Sequence, residues 1–234
     1  MLFSSLVFLF TFLPITLLVY YLVPRKVKNV VLLIASLIFY AWGEPVYIFL
    51  MLISILFNYF CGMDIALKAG RKSQVHSLIF TIVVNLFILG FFKYYGFIVT
   101  NLNAILPFYI PYRKLELPIG ISFYTFQSSG YLLDVYWKRC EAEKHPLKYA
   151  LFVSFFPQIL QGPIGRYSRL ANQLYVSHKF EGKNIARGFE RILWGFFKKM
   201  ILADWAAVFV DEIFANPDQY SGLALIGILL YTLQ

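Results

Sequence analysis

Asp134 is the residue best placed to do chemistry inside an apolar run. It sits in Gly130-Tyr131-Leu132-Leu133-Asp134-Val135-Tyr136. A carboxylate there serves either as a cavity group facing a substrate or as an interfacial charge paired with Lys138 at i+4. Gln127 lies seven residues earlier and so on the same helical face, with Ser122 and Tyr124 upstream. These polar side chains can line a channel through the protein or hydrogen-bond between helices. Gln158 and Gln161 flank a bend containing Pro157, Gly162, Pro163 and Gly165. A broken segment exposes backbone amides and carbonyls, so this bend can hold a carbonyl or hydroxyl substrate, or satisfy itself. Arg166 follows the bend. Its guanidinium suits a phosphate, and it reads equally as an ordinary loop charge.

Other chemistries find no support in the residue pattern. His76, His145 and His178 have neither metal-ligand spacing nor a Ser/Asp constellation and read as surface histidines. Cys61 lies in an apolar segment and Cys140 in a polar loop, which reads as two unpaired thiols. P-loop, dinucleotide-binding and HExxH patterns are missing, and no metal site is expected.

The elements carrying these residues belong in a membrane. Leu2–Val23 and Val46–Met63 hold no charged side chain, and Ser77–Val99 holds only Lys93. Each approaches the roughly 20 apolar residues a transmembrane helix needs. The chain is 60% hydrophobic and 14% charged, against about 25% charged in soluble domains. A soluble protein with a greasy core is excluded on that ground. No basic residue precedes the first run and no cleavage pattern follows it, so it reads as a retained helix rather than a signal peptide. The net charge of +9 gathers in short links between apolar runs, a positive-inside pattern rather than a nucleic-acid face.

The links set a topology. Arg25-Lys26-Val27-Lys28 and Lys68, Arg71, Lys72 bracket a segment broken at Trp42-Gly43-Glu44-Pro45. Two short helices meeting there return both basic links to one face, taken as cytoplasmic, with the amino terminus outside. The first arm, Val30–Trp42, reaches only roughly 20 Å, so it is half-inserted or the bilayer is thin beside it. Ser77–Val99 runs outward and Asn101–Glu116 forms an outer link. Leu117–Trp137 returns to a basic inner loop of Lys138, Arg139, Lys144 and Lys148. Tyr149–Gly165 is then expected to be re-entrant, because a full crossing would place Arg166, Arg169, Lys179, Lys183, Arg187 and Arg191 outside. Gly188–Phe214 mixes aromatic and charged residues as an interfacial helix does, and Asn216-Pro217-Asp218 is a turn. Leu223–Leu233 opens another apolar segment, and the expectation is that residues 1–234 form the first part of one membrane domain, interrupted within a helix. The fold class is thus all-α and polytopic. A non-enzymatic channel, transporter or scaffold stays open beside an enzyme, since broken helices are also a transporter feature.

Several blocks together resemble the bacterial membrane-bound O-acyltransferases, in the branch that acetylates alginate. They are Met1-Leu2-Phe3-Ser4-Ser5-Leu6-Val7-Phe8-Leu9-Phe10, Phe39-Tyr40-Ala41-Trp42-Gly43-Glu44-Pro45 and Pro118-Ile119-Gly120-Ile121-Ser122-Phe123-Tyr124-Thr125-Phe126-Gln127. Tyr131–Tyr136, Ser154–Gln158, Gly162-Pro163-Ile164 with Arg166-Tyr167, Lys198-Lys199 with Leu202-Ala203-Asp204, and Tyr231–Gln234 continue in family order. The resemblance implies helices around a funnel that thins a bacterial cytoplasmic membrane. An acyl group, with acetyl-CoA as the expected donor and no bound cofactor, enters from the cytoplasm. It leaves toward extracytoplasmic partner proteins and polysaccharide hydroxyls, and no nucleic acid is involved. The family's catalytic histidine sits in a Trp-His-Gly-type motif that residues 1–234 do not contain, so none of His76, His145 or His178 inherits its role. For Ser122, Tyr124, Gln127, Asp134, Gln158, Gln161 and Arg166 the resemblance implies only proximity to the funnel.

Overall fold

A computed structural model describes residues 3, 5–106, 108–111, 115–160, 162–163, 165–176 and 178–233. Among them the regular structure is entirely helical. The chain divides into two units, Met1–His178 and Lys179–Gln234.

In the first unit a π-turn, Phe8–Phe12, leads into α1, Leu13–Leu22. Proline at the start of α1 is tolerated because its missing N–H is one that a helix start leaves unpaired. Helix α2 spans Lys28–Gly43, α3 spans Ile48–Leu67 and α4 spans Lys72–Ile105. The expected break at Glu44-Pro45 is present, since α2 and α3 stop on either side of it. Among the described residues two helices are long and apolar enough to cross a membrane, namely α3 and α4. The first run instead yields a shorter apolar helix, Phe8–Leu22. Helix α4 is longer than the run that announced it and takes in Asn101–Ile105, expected to be link; there the Asn101 side-chain amide donates to the Phe97 carbonyl (2.8 Å). After a loop, α5 spans Ile121–Tyr136, starting four residues later than expected because Gly120 turns into a left-handed conformation.

Two pairs of contacts orient these helices. Lys28 Nζ donates to the His178 carbonyl (2.8 Å) and Tyr59 Oη to that of Lys144 (2.7 Å). At the opposite end Tyr47 Oη donates to the Glu116 carbonyl (3.2 Å), and Ile119 N donates to Glu44 Oε1 (3.3 Å). Helices α2 to α5 therefore alternate in direction, and the links at 23–27, 68–71 and 137–145 share one end.

The segment expected to be re-entrant is a broken pair: α6, Pro146–Ser154, and α7, Phe156–Ile159, followed by α8, Tyr167–Leu174. Helix α6 is central to the unit, with Tyr149, Leu151, Phe152 and Val153 all buried. At the break Phe155 leaves the helical region and Phe156 N donates to Ser36 Oγ (3.2 Å), which itself donates to the Leu32 carbonyl. Interior backbone freed by a break needs such a partner. The Phe156 ring lies among those of Phe8, Phe12 and Phe39, at centroid separations of 6.2, 5.4 and 5.7 Å.

In the second unit the helix expected over Gly188–Phe214 is present and longer: helical backbone runs unbroken through α9 (Gly182–Phe197), a π segment (Lys198–Ala203) and α10 (Asp204–Ala215). Lys199 grips Asp204 across that joint, with both carboxylate oxygens at 2.9 Å. No residue of α9 is buried. After the turn at Asn216–Asp218, α11 (Ala224–Leu233) packs on α10, where Gly227 faces Ile213 and Phe214.

Candidate functional site

Helix α5 carries most of the polar residues singled out in the sequence, and α3 and α6 wrap it closely enough to bury them. Gly62 of α3 makes this approach possible: a methyl group there would stand 2.7 Å from Cε1 of Tyr131. Gly120 does the same beneath α7, with φ +78° and only 2.7 Å between an added Cβ and the Ile159 carbonyl oxygen. That conformation and that clearance are available to glycine alone. Gln127 is buried and its Nε2 donates to the Phe152 carbonyl (2.9 Å), bridging α5 to α6. Tyr124 is buried and Ser122 half-buried. Gln158 is half-buried, with its amide beside Gly165 and its Oε1 buried and without a hydrogen-bond partner among the described residues. The hydroxyls of Tyr40 and Tyr124 are likewise buried and unpartnered among the described residues. Interior polar atoms in this state mark places where water or a ligand group completes the bonding. Gln161 lies outside the described residues.

Asp134 is buried, but Lys138 is not its partner. Helix α5 ends at Tyr136 and Lys138 takes a positive φ of 56°, which removes the i+4 geometry. Arg139 replaces it, with Nη1 3.8 Å from Asp134 Oδ1 and its guanidinium stacked over Trp137. The Asp134 carbonyl accepts from Arg139 N (2.8 Å), so side chain and backbone both fold the loop over the helix end.

That loop walls a polar cavity of about 440 Å³ at the basic end of the unit. Residues 139–145 form one side, and Tyr167, Ser168, Ala171, Asn172 and Tyr175 the other. None of the six described candidates lines it. Its organising residue, Glu143, was missed in the sequence. Glu143 Oε2 accepts from Tyr167 Oη (2.6 Å), Oε1 accepts from His145 N (2.9 Å), and Glu143 N donates to Tyr131 Oη (3.0 Å). Burial, and then the Glu143 hydrogen bond, hold the Tyr167 phenol well above its ordinary pKa, so it stays a donor. Tyr175, also raised chiefly by burial, donates to the Lys148 carbonyl (2.7 Å). Burial, aided by Asp134, pushes the Cys140 thiol up to about 11. The available signal was a pair of acids, Glu141 and Glu143, in a basic loop followed by tyrosines at 167 and 175. Arg139, Lys144 and His145 share the lining with Glu141 and Glu143, so the rim carries both signs of charge. Arg166 is exposed at the start of α8. Among the described residues no three His, Cys, Asp or Glu side chains converge as a metal site.

Comparison with known proteins places these elements. The whole chain aligns at 40% identity with the probable alginate O-acetylase AlgI of Azotobacter vinelandii and with that of Pseudomonas aeruginosa. It aligns at 34% identity, over 90% of its length, with the peptidoglycan O-acetyltransferase of Helicobacter pylori. These relatives are members of the membrane-bound O-acyltransferase family, and the chain is homologous to them along its length. It spans about half the length of the curated relatives it matches, 48% of the Azotobacter protein and 46% of the other two. No protein-family model matches the chain. No solved structure matches it either. Among the described residues, the α5–α7 seam and the basic-end cavity hold the candidate polar groups and the Glu143 network.

Proposed function

We propose that this chain is part of a multi-pass bacterial cytoplasmic-membrane O-acetyltransferase that moves an acetyl group from cytoplasmic acetyl-CoA to hydroxyls of an extracytoplasmic polysaccharide such as alginate. The observation that carries the reading is identity of 34–40% to polysaccharide O-acetylases along nearly the whole chain. The cavity offers the donor's phosphates the guanidinium of Arg139 and the ammonium of Lys144, beside the carboxylates of Glu141 and Glu143. The acetyl carbonyl then meets a neutral, hydrogen-bonding lining, for which Ser122, Tyr124, Gln127, Gln158 and Gln161 are the candidates, with Asp134 and Arg166 toward the basic end. The described residues hold no nucleophile–base pair along this path. The general base is therefore assigned to sequence outside residues 1–234, in continuity or on a second chain. Transfer onward requires extracytoplasmic partner proteins.

The test uses membranes, labelled acetyl-CoA and acetylated alginate as readout, with residues 1–234 expressed alone and with a full-length homologue as positive control. Residues 1–234 alone are expected to be inactive, and activity to require co-expression or fusion of the homologue's remaining half. Activity in residues 1–234 alone overturns the assignment of the base. An active control with no rescue by the added half overturns the acetyltransferase reading of this chain.

A further inference from the structure

The first unit carries an apolar groove of about 410 Å³ between α1, with its π-turn, and α2. Val7, Ile15 and Val19 form one wall, Ile34 and Trp42 the other, and Ala35 the buried floor. From Val7 to Val19 the groove runs about 18 Å at 1.5 Å per residue. One leaflet of a hydrocarbon core is about 15 Å deep, half of 30 Å. The groove is therefore as long as one lipid tail is deep.

Its two ends differ in charge. Val19 and Val31 bring it to the link at 23–27, where Arg25 and Lys26 are exposed. Lys28 is turned away from that mouth, bonded to the His178 carbonyl and set over the rings of Tyr20 and Tyr21. Residues 1–43 contain no Asp or Glu, so nothing nearby in sequence neutralises Arg25 and Lys26. The first acid, Glu44, sits at the far end and accepts from Ile119 N. A ligand matching this pattern has a long apolar tail and a negative group at one end.

We propose that the groove seats one acyl tail of an anionic phospholipid, with its phosphate at Arg25 and Lys26 and its tail end toward Trp42. The proposal rests on the membrane reading above and adds a resident lipid to it. Cationic side chains beside an apolar surface are the usual means of holding an acidic headgroup.

The experiment reconstitutes the full chain in nanodiscs of phosphatidylcholine containing phosphatidylglycerol, then transfers it to mild detergent and identifies retained lipid by native mass spectrometry. The wild-type chain should keep one phosphatidylglycerol at least tenfold in preference to phosphatidylcholine. The double variant R25Q/K26Q should lose the preference, and I38W, which fills the groove from an exposed position, should lose retention of both lipids. Equal retention of the two lipids by the wild type overturns the proposal. Retention unchanged in I38W also overturns it, since the tail then lies elsewhere. Failure of the wild-type chain to enter nanodiscs overturns the membrane reading as well, whereas normal entry without selectivity overturns the groove alone.

Discussion

Asn58 and Asn85 form a reciprocal amide pair across α3 and α4. Asn58 Nδ2 donates to Asn85 Oδ1 (3.1 Å) and Asn85 Nδ2 donates to Asn58 Oδ1 (2.7 Å), with both residues buried. Replacing either by leucine strands the other amide in an apolar interior, at a cost of about 1–2 kcal/mol. The double replacement should recover much of that loss, because neither polar group remains. Thermal unfolding in detergent of N58L, N85L and N58L/N85L checks the expected non-additivity.

Gly120→Ala should destabilise the chain by about 1–3 kcal/mol, since it combines a strained φ with a clash on the Ile159 carbonyl. Gly130→Ala, a position facing open space on the same helix, should be neutral or stabilise by up to about 1 kcal/mol. Melting temperatures of the two variants, which differ by the same atoms, should move apart.

Tyr167→Phe removes the donor to Glu143 Oε2 and should loosen the loop at 137–145. A hydrogen bond to a charged group contributes about 1.5–3 kcal/mol, so local opening should rise at least tenfold. Trypsin cleavage after Lys144 reads this directly, and a rate equal to wild type would show that the bond does not hold the loop.

Cys140 lines the cavity and is held protonated by burial and by the Asp134 carboxylate. Maleimide should therefore modify it slowly at neutral pH, with a rate rising as pH approaches about 11. Asp134→Asn removes a negative charge that disfavours the thiolate, so the profile should shift to lower pH. The Cys61 thiol, replaced by serine in all samples, is kept out of the readout.

Apolar runs and punctuation made the helices legible: the break before Pro45 and the interruption around Pro157 both stand where proline placed them. Helix lengths were less legible. Polarity marks Asn101 as the start of a link, yet α4 runs through it to Ile105, because a helix breaks only where its backbone bonds are lost. The site was visible only in part. Gln127 and Asp134 are buried as their spacing on one face implies, but Arg139 displaces Lys138 as the acid's partner once the helix stops early. Glu143 was hidden because its importance comes from Tyr131 and Tyr167, partners far along the chain that only the fold brings to it.

The Phe156 amide has a consequence for motion. Its acceptor is a side chain of α2, and its ring is caged by residues before and within that helix. The interrupted segment thus has no private hinge. A tilt of α2 large enough to separate Ser36 from Phe156 leaves a stranded donor in a dry interior, so the two must travel as one lever. A displacement of the segment around Phe156 is therefore felt at the amino-terminal helices.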